Sequence, residues 1–504
     1  MRGRGEIGRR SRLKIGFPWS AGSSPAVRTI LLALTLGLAG CGQRPDSGPV
    51  VVSAIGGPPR LADPARGRPD TPARLLLDAT AEGLVRFDAS GQIEPGLAER
   101  WIVIDAGMSY IFRLRDAQWR DGSRVTADQV VDHLRRQIAP GSRNPLAPFL
   151  TAVDEIVTMT PQVIEVRLRR PRPDLLKLFA QPELALWRSD AIGGAGPMRV
   201  VHAGGSLLLR PAFDPGRADP EDRRETRPEE DVRLIGERAA RAIVRFAAHD
   251  SDHVAGGTFG DWPLVALGAV APANIRIDPA AGLFGFAIVN RDGFLAEAPN
   301  RAAISGAIDR AAVTNAVMQG WEPAERILPD TLDSAAPPAL PGWTLLSPDE
   351  RRESARARVA GWGDPVRLRI ALPAGPGATL LYAQVAASLL AIGVTPERVA
   401  LQDPADLRLV DQVAPYDSAR WYLANACSLC GDEARTALIA ARDAPTLAER
   451  ARLIAAADAA LAVDTAFVPI ARPLRWSLVA LRLRQWRPNP RAWHPLNQLR
   501  GDTN

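Results

Sequence analysis

Strand-like and helix-like stretches alternate along this chain, which predicts an α/β fold spread over more than one domain. Two patterns and the chain length carry that expectation. From Met108 to Trp119 the residues alternate, with Tyr110, Phe112 and Leu114 on one side and Ile111, Arg113 and Arg115 on the other, the period of a half-buried strand. Just after it, Thr126-Ala127-Asp128-Gln129 forms a capping box, and Val130, Leu134 and Ile138 then recur every fourth residue on one helical face. At 504 residues the chain exceeds what one hydrophobic core usually organises, so two or more domains are expected.

Taken in order, the first element is the apolar run Ile30 to Leu38, which ends in Leu38-Ala39-Gly40-Cys41. It is too short to span a bilayer, which needs roughly 20 residues, but it suits the apolar region of an export signal. The ending resembles the lipobox of a bacterial lipoprotein. That resemblance implies a signal peptide at 1–40, lipidation of Cys41 and a polar tether at 41–49. Acyl chains contribute about 0.8 kcal/mol per buried methylene, so more than one would hold the chain on a membrane surface.

Val50 to Ile55 reads as a strand, and Ile164, Val166 and Leu168 as another. Pro211 to Ala240 is charged and punctuated by proline, the pattern of a solvated surface excursion. Leu283 to Asn290 restarts the sheet pattern, and Arg301 to Met318 reads as one helix with Ile304, Ile308 and Val317 on its apolar side. Thr446-Leu447-Ala448-Glu449 is a second capping box, opening a helix to about Val463. The tail from Ala466 to Leu499 is strand-like and loop-like.

Composition excludes several classes. Residues 1–40 hold seven of the 62 basic residues and one of the 56 acidic ones, so the remainder carries 55 of each. A chain without net charge gives no support for nucleic-acid binding, which needs a concentrated positive field. All basic residues except Lys14 and Lys177 are arginine, so arginine as such marks no site. No Gly-Lys-Ser/Thr phosphate loop, Gly-x-Ser-x-Gly elbow or His-Glu-x-x-His motif occurs, and neither an enzyme nor a cofactor is expected.

One ordered series is more specific: Glu82-Gly83-Leu84-Val85-Arg86-Phe87-Asp88, then Glu94-Pro95-Gly96-Leu97-Ala98-Glu99-Arg100-Trp101, Tyr110 to Arg115, and Trp119-Arg120-Asp121-Gly122 through Val130. It resembles the family 5 extracellular solute-binding proteins, the oligopeptide and nickel receptors of ABC importers. Leu61-Ala62-Asp63-Pro64, Gly194 to Pro197, Arg301-Ala302-Ala303 and Ala307 to Arg310 continue the likeness. The resemblance implies an α/β, two-lobed periplasmic-binding-protein-like fold of the class II, cluster C type with an extra N-terminal subdomain. Its boundaries would be 50–80 for the first segment of lobe I, 81–189 for the subdomain, 190–283 for the second segment of lobe I, 284–471 for lobe II, and 472–504 for the return to lobe I. It further implies a substrate-binding lipoprotein that encloses a peptide-like solute by hinge closure, with ABC permease and ATPase subunits as partners, at the periplasmic or outer face of the membrane. A receptor-fold envelope sensor uncoupled from transport is the alternative.

Tyr416 to Asn425 resembles the family's cleft segment, in which an acidic residue after an aromatic pairs with the α-ammonium of the ligand. Here Asn425 stands at that position, and an amide cannot neutralise a buried ammonium. A shifted alignment would use Asp432 or Glu433. Trp421, Tyr422 and Asn425 are the expected ligand contacts, with Asn290 a further candidate at the start of lobe II. The Trp119 to Gly122 turn reads as structural. Cys427 and Cys430 fall in an exported chain, where a disulfide is the default. Free thiols, thiol oxidoreductase chemistry and half of a metal site are the alternatives, and among the histidines only His249 and His253 have ligand spacing. No metal is assigned.

Overall fold

The computed structural model describes residues 47–188, 193–213 and 225–500. The signal peptide, Cys41 and all but the end of the tether lie outside them.

Two sheets organise two lobes. The first has seven strands in the order Met198–Ala203, Leu207–Pro211, Val232–Glu237, Val50–Ile55, His253–Thr258, Arg475–Val479, Ile275–Asp278. Val50–Ile55 runs parallel to both of its neighbours and is buried along almost its whole length. A strand covered on both faces reads as a continuous apolar run rather than an alternation, which is how this one looks in sequence. The second sheet has five strands, in the order Thr395–Ala400, Arg367–Leu372, Leu407–Val413, Gly282–Ile288, Phe467–Ala471. Among the described residues the chain passes between the sheets twice, at 279–281 and 472–474. Two short neighbouring crossings are the geometry of a hinge.

A third, antiparallel sheet of four strands, in the order Ala98–Ile104, Ser109–Leu114, Val163–Leu168, Val153–Thr160, packs against the helix Ala127–Ile138. Its capping box is complete, since Thr126 accepts from Gln129 N and Gln129 reaches back to Thr126 N. Gln129 Oε1 also accepts from Trp119 Nε1 at 2.9 Å, so the helix cap fixes the buried tryptophan of the Trp-Arg-Asp-Gly turn. The Glu-Gly-Leu and Pro-Gly-Leu segments meet directly: Leu97 N donates to Gly83 O at 2.8 Å and Ala98 N to Leu84 O at 2.9 Å. A Cβ on Gly96 would sit 2.4 Å from Gly83 O, so close backbone approach demands the glycine.

Two sequence expectations change. Pro211 to Ala240 is not wholly a surface excursion, because Val232–Glu237 lies inside the seven-stranded sheet between Val50–Ile55 and Leu207–Pro211. Its flanking charges are neutralised locally: Asp231 pairs with Arg210 at 2.9 Å, and Glu237 with Arg245 at 2.9 Å and Ser53 at 2.6 Å. Arg301 to Met318 is two helices, Ala298–Ala307 and Arg310–Val317, because Asp309 leaves the helical conformation and caps the second by accepting from Ala312 N. The helix Leu447–Asp464 does start at Thr446, which accepts from Glu449 N. Glu449 pairs with Arg452.

Asp458, on that last helix, is buried and accepts one bond, from Ala339 N at 2.8 Å. Burial pushes its pKa up to about 6, against that hydrogen bond. The folded chain therefore keeps a proton that the unfolded chain releases near 3.8. The stability from this group is complete below the unfolded value and is lost as pH rises through about 6. Asp458→Asn is expected to be about 2 kcal/mol more stable than wild type at pH 7.5, with the difference vanishing below about pH 4, measured by urea unfolding at both pH values.

Candidate ligand-binding site

Where the lobes and the subdomain face one another, two adjoining cavities of about 210 Å³ each share the walls Arg68, Arg74, Val413, Arg491 and Trp493. The first is closed by the Ala255–Thr258 stretch and Trp476 of lobe I, the second by Phe149 and Glu183 of the subdomain and by Trp421 and Asn425 of lobe II. Val413 ends the strand Leu407–Val413, and Arg475 opens the strand Arg475–Val479. The two lobes thus meet at the hinge side of both sheets.

Most cavity charges are compensated. Arg74 pairs with Glu183 at 2.8 Å and lies 4.0 Å over the Trp493 ring. Arg475 pairs with Asp411 at 2.8 Å across the hinge, and burial pushes the Asp411 pKa up against the pull of Arg475. Asp417 of lobe II is held from two sides, by Lys177 of the subdomain at 2.7 Å and by Arg491 of the C-terminal tail. Burial raises the Asp417 pKa, but the bonds from Lys177 and Arg491 outweigh it and leave the value lowered. Gln181 adds a bond to Pro415 O at 2.7 Å.

The sheet orders, the two crossings and an interlobe cavity describe a two-lobed fold hinged beside a cavity. The profile of the bacterial extracellular solute-binding proteins, family 5 Middle, matches residues 92–198. Over those residues this chain is similar to that family. Among curated relatives it is 32% identical over 144 residues to the probable deoxycholate-binding periplasmic protein YgiS of Escherichia coli, covering 25% of this chain and 27% of that protein. It is 26% identical over 314 residues to the periplasmic oligopeptide-binding protein OppA of Salmonella typhimurium, covering 56% and 57%. These alignments span less than two thirds of either relative. The fold agrees over a longer stretch. The Haemophilus influenzae OppA complex with RPPGFSPFR superposes with a TM-score of 0.75 at 17% identity, covering 89% of this chain and 98% of that one. The Escherichia coli murein tripeptide binding protein MppA gives 0.75 at 19% identity, covering 91% and 99%. Its unliganded open form gives 0.64 at the same identity, covering 90% and 98%.

The residues singled out by sequence separate into groups. Trp421 and Asn425 line the second cavity. They sit on the helix Ala419–Ala426, and the Asn425 amide donates to Trp421 O at 2.8 Å. Tyr422, on the same helix, is 1% exposed and packs edge-on against Trp421 at 5.1 Å, inside the core. Asn290 lies beyond the far end of the strand Gly282–Ile288 from the hinge, where it bonds Asp406 at 2.9 Å, and is not brought to the cavities. Asp432 and Glu433 are exposed and line neither cavity. His253 is buried in its strand, its pKa pushed down to about 3 by burial and by His494, whereas His249 is exposed on a left-handed turn.

Cys427 and Cys430 are joined, with Cα atoms 5.0 Å apart, at the end of the Trp421 helix. A bridge across so few residues removes little unfolded-chain entropy. The double serine variant is expected to lose about 2 kcal/mol and to stay folded, read from the urea midpoint with and without reductant.

Sequence reading missed Arg68, Arg74, Arg491 and Trp493. Arginine supplies all but two of the basic residues, so the cavity arginines carried no compositional signal. Trp493 faced an equally ordinary core reading.

Proposed function

We propose that this protein is the substrate-binding lipoprotein of an ABC importer. It takes up a peptide-like small solute between its lobes and passes it to permease and ATPase subunits, tethered to the envelope membrane through a lipid on Cys41. The observation that carries the reading is the shared cavity, whose walls come from lobe I, lobe II and the subdomain at once. A ligand there touches both moving parts, and only such a ligand favours closure over opening.

Magnitudes support a ligand-dependent hinge. Lys177 and Asp417 keep 36% and 42% of their side-chain exposure, and pairs this wet contribute about 0–1 kcal/mol. That contact therefore adds little to closure by itself, and a bound solute supplies the remainder. We assign Trp421 and Asn425 to solute contact, Trp421 as an apolar wall and Asn425 as a neutral hydrogen-bonding group.

Thermal denaturation of the purified protein with a panel of di-, tri- and pentapeptides tests the reading. At least one compound is expected to raise the melting temperature by mass action, and a flat response across the panel would contradict it. Radiolabelled palmitate should enter the wild-type protein in its host and not the Cys41→Ser variant.

A further inference from the structure

The cavities contain one charge that protein does not answer. Arg68, on the loop before the helix Thr71–Thr80, lines both of them. Among the described residues its side chain forms neither an ion pair nor a hydrogen bond. The nearby carboxylates are engaged elsewhere, Glu183 with Arg74 and Asp411 with Arg475. The Arg68 side chain is exposed, at the mouth of the cavities. Desolvation by the surrounding protein lowers its pKa, and Arg74 and Arg475 lower it further against Glu183 and Asp411.

The carboxylates that line the cavities are already engaged: Glu183 holds Arg74, and Asp278 accepts from Asn489 N at 3.0 Å and faces His494 at 3.1 Å. Asp417 is saturated by Lys177 and Arg491, and Asn425 offers an amide. The surroundings add to the positive field. Tyr416 stacks edge-on against cavity-lining Phe149 at 6.0 Å and neighbours Arg172 and Arg420. Both arginines are more than nine-tenths buried, with guanidinium N–H groups that have no partner. An uncompensated cation in a cavity wall attracts anions and repels cationic groups.

We propose that Arg68 is the anchor for an acidic group on the solute, so that the receptor selects anionic, carboxylate-bearing peptide-like compounds over those with a free cationic amine. The assignment rests on the interlobe cleft being the binding site. A planar guanidinium pairs with a carboxylate through two parallel hydrogen bonds, which fixes orientation as well as charge. In the closed cleft that pair replaces cavity water, and no other side chain has to be displaced from a partner.

Three probes of one backbone separate the possibilities: succinyl-trialanine, trialanine and trialanine amide, titrated calorimetrically into wild type, Arg68→Gln and Arg68→Lys at pH 7.5. Succinyl-trialanine is expected to bind wild type most tightly and trialanine amide most weakly. Arg68→Gln should lose roughly 10- to 100-fold in affinity for the succinyl compound, and Arg68→Lys should retain part of it. The melting temperature of each free variant should stay at the wild-type value, because Arg68 bonds nothing in the protein. Equal binding of all three probes, or an Arg68→Gln variant that binds the succinyl compound like wild type, overturns the assignment while leaving the receptor reading intact. If no probe of any charge binds wild type, the cleft reading fails and the assignment fails with it.

Discussion

Arg301→Ala is expected to destabilise the protein by about 4–5 kcal/mol, because it empties a buried site and strands several acceptors at once. Arg301 is 2% exposed. Its Nη1 donates to Leu295 O at 2.8 Å and Ala296 O at 2.7 Å, and its Nε to Asp464 O at 2.9 Å. Its Nη2 meets the Asp464 carboxylate, which also holds Arg291 and accepts from Gly431 N at 2.8 Å. One guanidinium thus joins the start of the helix Ala298–Ala307 to the end of Leu447–Asp464. Lysine supplies the charge but not the fork, so Arg301→Lys should recover less than half of the loss. Urea unfolding of the three proteins checks this, and a loss under about 1 kcal/mol for the alanine variant would show that the network is not needed.

Glu82→Ala is expected to cost about 3–5 kcal/mol, the range for removing one partner of a buried pair. Glu82 and Arg115 keep 2% and 5% of their side-chain exposure. Arg115 also donates to Gly96 O at 3.0 Å, so the pair ties the Glu-Gly-Leu segment to the Pro-Gly-Leu segment. Without the carboxylate, Arg115 remains a buried charge short of its partner. The double variant Glu82→Leu/Arg115→Met removes both charges and should be markedly more stable than Glu82→Ala, since most of the cost lies in the orphaned ion rather than in the lost attraction. Equal instability of the two variants, compared by urea midpoints, would place the cost in packing instead.

The contrast between these residues and the cavity explains what sequence made legible. Strands buried on one face, such as Ser109–Leu114, and helices opened by a capping box, such as Ala127–Ile138, write their geometry into local spacing. The motif residues Glu82, Gly96, Trp119, Arg301 and Arg310 carried the family likeness, and the structure shows the physical reason: each makes buried bonds or close approaches that few substitutions tolerate. Val232–Glu237 was hidden because its flanking charges find partners only in three dimensions. The break at Asp309 was hidden because an aspartate cap inside an apolar helical repeat leaves the period almost undisturbed.

The cavity was harder to read for a related reason. Its walls come from residues 68, 74, 413, 421, 425, 491 and 493, which no local period connects. Trp421 and Asn425 were reachable through the likeness of one segment. Tyr422 sits next to Trp421 in sequence but points into the core, a distinction of about 100° around a helix that spacing alone does not resolve when both neighbours are aromatic. Asn290 was placed by its position at the start of the second lobe, and the strand Gly282–Ile288 carries it away from the hinge.

The account stands on two lobes that close on a solute held between them. Small-angle scattering of the protein, first alone and then saturated with a compound that raises its melting temperature, tests this most directly. The account predicts a smaller radius of gyration in the saturated sample, as closure brings Asp417 onto Lys177 and Arg491. Superimposable profiles from a demonstrably bound and an unbound sample would contradict it.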